Sequence, residues 1–144
     1  MKTRFSSLVG IKKDAMQKSE RILQEQNHIL QQAQKAYDVS VDFLSAIQIP
    51  NHGKIADFLA SRELLEVQRS IIEKNHEWIL FAQSQVKQAQ ENLKKAMMEY
   101  EKFNYLELEE IKAILKEQKL QEAKELDEIA LLTFTKKSSL NGNL

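Results

Sequence analysis

The sequence predicts an all-α fold: an antiparallel two-helix coiled-coil hairpin with a longer second helix. Three observations predict it. The 144 residues include only three Gly and one Pro and are 29% charged, a balance of Lys, Glu, Gln, Leu and Ala that suits long helices better than a compact globule. Helical composition is broken at one place, Pro50-Asn51-His52-Gly53. On both sides of that break, apolar residues recur every seventh position, the signature of helices wound on a partner.

Proline disfavours helix at the residue before it, and Asn and Gly tolerate turn geometry. The chain therefore reads as helix 1 over about 3–48, a tight turn at 49–53 and helix 2 over about 54–134. Together these form one hairpin domain, 1–135. The Ser-, Asn- and Gly-containing tail, 136–144, is expected to be disordered.

In helix 1 one apolar row reads Leu8, Ala15, Ile22, Ile29, Ala36, Phe43; in helix 2 one reads Phe58, Leu65, Ile72, Ile79, Val86, Leu93, Tyr100. A tight reversal at Pro50–Asn51 pairs residues whose numbers sum to about 101, which sets Phe43 against Phe58, Ile29 against Ile72 and Leu8 against Leu93. The second seam is poorer: Ser40 with Ser61, Ala33 with Gln68, Gln26 with Asn75, Ser19 with Ala82, Lys12 with Ala89. Small side chains let helices approach closely but bury little apolar area, at about 25 cal/mol per Å². A modestly stable, somewhat plastic hairpin is expected.

At roughly 1.5 Å per residue, helix 1 would span about 70 Å and helix 2 about 120 Å. This register leaves helix 2 without an internal partner beyond about Met98. Its apolar positions continue through Leu108, Ile111 and Leu115 to Leu126 and Ile129. An amphipathic helix with no internal partner is a candidate for contact with another chain. A second candidate is the stretch Trp78-Ile79-Leu80-Phe81, apolar all round, with Leu64, Ile71 and Trp78 forming a row beside the core row. Trp78 and Phe81 either lie over the seam or anchor an interface.

Several kinds of chemistry find no support. The chain has no cysteine, so disulfides and thiolate metal sites are excluded and a reducing, cytoplasmic setting fits. No apolar run approaches the roughly 20 residues of a membrane span, and no signal peptide follows Lys2 and Arg4. His28, His52 and His76 are isolated, Gly10, Gly53 and Gly142 form no phosphate loop, and adjacent Asp127 and Glu128 diverge on a helix. No enzyme, cofactor or metal is indicated. Net charge is zero; six basic residues in 1–24 face ten acids in 99–128, as expected of chain ends lying side by side. No basic stripe with interleaved aromatics supports nucleic-acid binding.

The stretch Lys124-Glu125-Leu126-Asp127-Glu128-Ile129-Ala130 is similar to the K-E-L-D-E-I-A signature near the C-terminus of the FliJ family of flagellar export proteins. The opening also resembles that family, with Arg4-Phe5, then Leu8, Lys12-Lys13 and Ala15. The Tyr–x–x–Phe–Leu stretch common after the family's turn is represented here by Phe58-Leu59 without the tyrosine. The resemblance implies a non-enzymatic component of the flagellar type III export apparatus, peripheral at the cytoplasmic face of the inner membrane through its partners. It implies a stalk-like role in a ring of the export ATPase, contact with the export-gate membrane protein, and escort of export chaperones with their substrates. By this carry-over Phe5, Leu8, Leu126, Asp127 and Ile129 face the ATPase, and Tyr37, Phe58, Leu64, Ile71 and Trp78 face the gate or another partner. A homo-oligomeric structural coiled coil, in which the overhangs of two chains pair and Trp78 sits in a four-helix contact, and the stalk protein of a virulence type III secretion system are the alternative readings.

Overall fold

The computed structural model describes residues 2–142. Two helices, α1 (Ser6–Ala46) and α2 (Ile55–Gly142), make an all-α hairpin whose second helix is the longer. Strands are absent among the described residues.

Thr3 starts α1 as its N-cap. Its Oγ1 accepts the Phe5 N–H at 3.1 Å, and Ser6 Oγ accepts the Thr3 N–H at 2.8 Å. This reciprocal arrangement satisfies donors that a helix start leaves without partners. α2 starts similarly at Lys54, whose N–H donates to Asp57 Oδ2 at 3.4 Å. Just before it, Gly53 takes φ 138°, and a Cβ there would stand 3.1 Å from Asp57 Oδ2; glycine suits both constraints.

Two boundaries differ from the sequence expectation. The connection is not a tight turn but the whole segment Ile47–Lys54. At the other end, α2 continues through Gly142, where a disordered tail was expected from 136. Lys136, Lys137, Ser138, Ser139 and Leu140 include no Pro or Gly to stop a helix, and the first glycine reached is Gly142 itself. Residues 143 and 144 of that tail lie outside the described residues.

The chain divides into two compact units: a loop-proximal unit, Lys13–Met98, and a terminal unit that joins the chain up to Lys12 with the chain from Glu99 onward. In the loop-proximal unit the core is made of small and polar side chains. Ala33 and Ala82 are 0% and 1% exposed, and Ser40, Gln68, Val86 and Ala89 are also buried. All but Val86 belong to the seam expected to be the poorer one. Small residues at these positions bring the backbones close, and the polar ones then find backbone partners. Gln68 Nε2 donates to the Ser40 carbonyl at 2.8 Å, Asn75 Nδ2 to the Ala36 carbonyl at 3.2 Å, and Ser40 Oγ to the Tyr37 carbonyl at 2.7 Å. Among the described residues no buried side-chain nitrogen or oxygen lacks a partner, as a polar core requires.

The register differs from the expected one. Cross-helix partners in the loop-proximal unit (Ser40 with Gln68, Ala36 with Asn75, Tyr37 with His76) have numbers summing to 108–113. Those in the terminal unit (Lys12 with Glu99, Ser6 with Glu107, Arg4 with Glu110) sum to 111–114. The two groups centre near 111 and 113, not 101, so Ile29 does not share a layer with Ile72, nor Phe43 with Phe58. The pairing is asymmetric about the connection: the first turns of α2, including Ile55, Phe58 and Leu59, are exposed and run past the end of α1 before pairing begins.

The facing row on α1 is also displaced by one residue. Val9, Met16, Leu23, Leu30, Tyr37 and Leu44 are all half-buried, whereas of the expected row Ile29 and Ala36 are half-buried and Leu8, Ala15, Ile22 and Phe43 are exposed. On α2 the expected row from Leu65 to Tyr100 does face inward.

Candidate binding surfaces

The displacement of the α1 row creates the first surface, on one flank of the loop-proximal unit. A residue beside a coiled-coil core position flanks the seam instead of filling it. Ile22, Ala36 and Phe43 from α1 and Leu64, Ile71 and Trp78 from α2 occupy such positions on the same side, so the flank is apolar. The opposite flank carries Glu20, Asn27 and Gln34 with Arg69, His76 and Gln83. On the apolar flank an open groove of about 400 Å³ is lined by Ala36, Val39, Ser40, Phe43, Gln68, Ile71 and Asn75. Its walls are apolar and its floor is the Gln68–Ser40–Asn75 polar seam.

Of the five residues expected to meet the export gate or another partner, three lie together here: Leu64, Ile71 and Trp78, all exposed, Trp78 at 39%. Phe81, 62% exposed, does not fold down over the seam. Tyr37 is not part of this surface. It sits in the inward row of α1 with its ring 6.0 Å from that of His76, toward the polar flank. Phe58 is exposed near the start of α2, away from the groove. Phe43 and Val39 belong to the groove and were not singled out as binding residues. Phe43 belongs to the expected core row, and its position beside the seam follows from the one-residue displacement of the α1 row.

The second surface lies in the terminal unit. The first turns of α1 are fastened to α2 by Ser6 Oγ donating to Glu107 Oε1 at 2.8 Å, by Arg4 Nε on Glu110 Oε2 at 3.2 Å and by Lys12 Nζ on Glu99 Oε2 at 3.5 Å. The Lys12 ammonium also stands 5.6 Å from the Phe103 ring centroid, a favourable cation–π placement. The expected opposition of basic and acidic chain ends is realised by these pairs. The fastening changes where α2 loses its partner. Half-buried positions continue through Phe103, Glu107, Glu110 and Ile114, so the unpartnered stretch starts at Leu115 and not at Met98.

From Leu115 through Leu140 every residue is exposed. Leu126 and Ile129 are 66% and 59% exposed, and Leu131, Leu132 and Phe134 stand out beside them. Their signal in the sequence is the run Ile129-Ala130-Leu131-Leu132-Thr133-Phe134, which extends the apolar surface past the K-E-L-D-E-I-A stretch. Asp127 is exposed between Leu126 and Ile129. Phe5 is half-buried and Leu8 exposed. In this register Phe5 stands level with Glu107, nineteen residues from Leu126 along α2, or about 28 Å. The two halves of the expected ATPase-facing set therefore do not form one patch.

Among the described residues, no group of three or more His, Cys, Asp or Glu side chains is placed to hold a metal ion. No described helix is long and apolar enough to cross a membrane.

An antiparallel helical pair with a small-residue seam defines the class of coiled-coil hairpins. Residues 1–139 match the family model described as Flagellar FliJ protein, and the chain belongs to that family. It is thereby a component of the flagellar export apparatus, in a family of structural and export components. No curated protein and no solved structure matches it.

Proposed function

We propose that this chain is a stalk-like member of the export apparatus that binds the export ATPase ring through the unpartnered end of α2. The observation that carries this reading is the exposure of Leu126, Ile129, Leu131, Leu132 and Phe134 on a helix with no intrachain partner from Leu115 onward. Helical apolar anchors of this kind typically seat in a groove of another protein. Asp127 and the neighbouring acids set orientation and encounter rate more than affinity. Phe5 and Leu8 form a separate, weaker contact, since Phe5 is half-buried and both lie far from Leu126.

In the same reading, the apolar flank around Leu64, Ile71 and Trp78 docks the export-gate membrane protein, with Tyr37 and Phe58 secondary. The chain also helps to bring export chaperones with their substrates to the ATPase, and it stays at the cytoplasmic face of the inner membrane through these partners. The test is capture from cytoplasmic lysate on the purified full chain, with bound proteins identified. Recovery of the export ATPase is expected; its absence, when chaperones or gate fragments are recovered, would remove the ATPase from the reading.

A further inference from the structure

We propose that α1 has two seats on α2 within the loop-proximal unit. One is the seat described above. The other is reached when α1 advances about four residues along its own screw toward the connection, a slide of one helical turn. The slide exchanges the apolar α1 wall of the groove for polar and charged side chains, so it switches that docking surface off. It is a property of the hairpin and holds whichever partner the flank meets.

The first support is the double apolar row of α1. Ile22, Ile29, Ala36 and Phe43 keep the same heptad as the inward row Leu23, Leu30, Tyr37 and Leu44. An advance of one turn, about 6 Å at 1.5 Å per residue, lays the helix backbone on itself, and each side chain takes the place of the one four positions on. Ile29 and Gln26 then stand where Ala33 and Leu30 stood, and Ile22 and Ser19 where Gln26 and Leu23 stood. The seam again holds large apolar side chains, now with Ile22 level with Val86, Ile29 with Ile79 and Phe43 with Leu65.

The second support is the way the polar seam is bonded. Gln68 and Asn75 hold α1 through backbone carbonyls, those of Ser40 at 2.8 Å and Ala36 at 3.2 Å. A helix presents an equivalent carbonyl at every residue. After the slide Gln68 meets the Ala36 carbonyl and Asn75 the Gln32 carbonyl, so neither buried group loses a partner. Neither bond is addressed to an α1 side chain that would fix one register.

The connection supplies the third. In the observed pairing α2 runs past the end of α1 by roughly 16 Å, a distance that Ile47–Lys54 crosses. The slide shortens that crossing to roughly 10 Å and brings α1 alongside the early turns of α2. A slide the other way would lengthen it. Ser6 and Lys12, which hold Glu107 and Glu99 in the terminal unit, oppose the advance; the Lys12 pair is solvent-exposed in part and weak.

The surface changes with the seat. On the groove wall Ala36, Val39 and Phe43 give way to Gln32, Lys35 and Val39, and in the flank row Ile29 gives way to Glu25.

The test is disulfide trapping in the full chain, which has no cysteine of its own. Ile29→Cys with Ile79→Cys stands about one turn out of level in the observed seat and in one layer in the second. Disulfides need Cα atoms within about 7 Å, so this pair closes only through the slide. Ile22→Cys with Val86→Cys, one heptad along, reports the same motion should the first pair disturb folding. Ile29→Cys with Ile72→Cys is level in neither seat. Both reporter pairs should close within one molecule under slow oxidation, at least ten times faster than the control, with helix content by circular dichroism equal to the parent's before oxidation. Trp78, the single tryptophan, should emit at longer wavelength in the form locked at Ile29–Ile79 than in a form locked at Leu30–Ala82. Two reporter pairs that stay open would leave α1 a single seat and overturn the proposal. Closure of reporters and control at equal rates would overturn it too, since α1 would then be leaving α2 and not sliding along it. Equal Trp78 emission from the two locked forms would overturn the link between seat and surface.

Discussion

The side-chain amide of Gln68 donates to the backbone carbonyl of Ser40, 2.8 Å away across the buried seam between α1 and α2. Gln68 is 6% exposed, so its polar atoms depend on this neighbour. Gln68→Ala removes both the bond and the packed stem. It is expected to destabilise the hairpin by about 2 kcal/mol. Gln68→Leu keeps the volume and leaves only a carbonyl still bonded within its own helix, so stability should stay within about 1 kcal/mol of the parent. Thermal melts of the three proteins by circular dichroism check this; equal melting of Gln68→Ala and parent would mean that the seam is not packed as described.

The displacement of the α1 row makes a contrast between neighbours. Leu23 is half-buried in the inward row, and adjacent Ile22 is exposed on the flank. Leu23→Asp should cost more than about 3 kcal/mol, because it sets a carboxylate against an apolar seam. Ile22→Asp should cost less than about 1 kcal/mol. Chemical denaturation of the two variants decides the matter, and the reverse order would return Ile22 to the core.

What the sequence made legible, and what it did not, follows from the range of each signal. Helix content is written into composition, and the inward face of α2 into a row with no apolar competitor on its flank except Leu64, Ile71 and Trp78. The seam residues Ala33, Ser40, Gln68, Ala82 and Ala89 were identified with the correct faces. On α1 two adjacent rows, one through Ile22 and one through Leu23, are both apolar, and a heptad pattern alone does not rank them. Register was misjudged for a different reason. Pro50 and Gly53 mark where helix stops but not how far the connection runs before α2 starts. The first turns of α2 run past the end of α1, which slides the pairing and moves the start of the unpartnered helix from Met98 to Leu115, whereas Phe43 leaves the core through the one-residue displacement of the α1 row.

The register itself is open to a direct check in this cysteine-free chain. Leu30→Cys with Ala82→Cys, one layer in the observed pairing, should form an intramolecular disulfide on oxidation. Ile29→Cys with Ile72→Cys should not, since disulfides need Cα atoms within about 7 Å. Peptide mapping after oxidation distinguishes the pairs; efficient closure of the second pair alone would restore the tight-turn register.

The fastening of α1's first turns on α2 rests on exposed or half-buried polar pairs, which contribute modestly. Ser6→Ala combined with Arg4→Ala removes the contacts to Glu107 and Glu110. Global stability should fall by only about 1 kcal/mol. Amide exchange at residues 5–12 should nonetheless accelerate, because this end opens locally without unfolding the rest. Unchanged exchange would show that apolar contacts at Phe5 and Val9 hold the end unaided.

The central claim is that the end of α2 beyond Leu115 is a binding element and not part of the fold. It is tested most directly by titrating purified export ATPase with the full chain carrying Leu126→Ala and Ile129→Ala, with circular dichroism melts on the same preparations. The predicted result is loss of ATPase binding with melting temperature and helix content nearly those of the parent, because both side chains are exposed and pack on nothing described in the chain. Undiminished binding by the folded variant would contradict the assignment of these anchors. Loss of binding accompanied by a substantial fall in melting temperature would contradict the claim that this end lies outside the core.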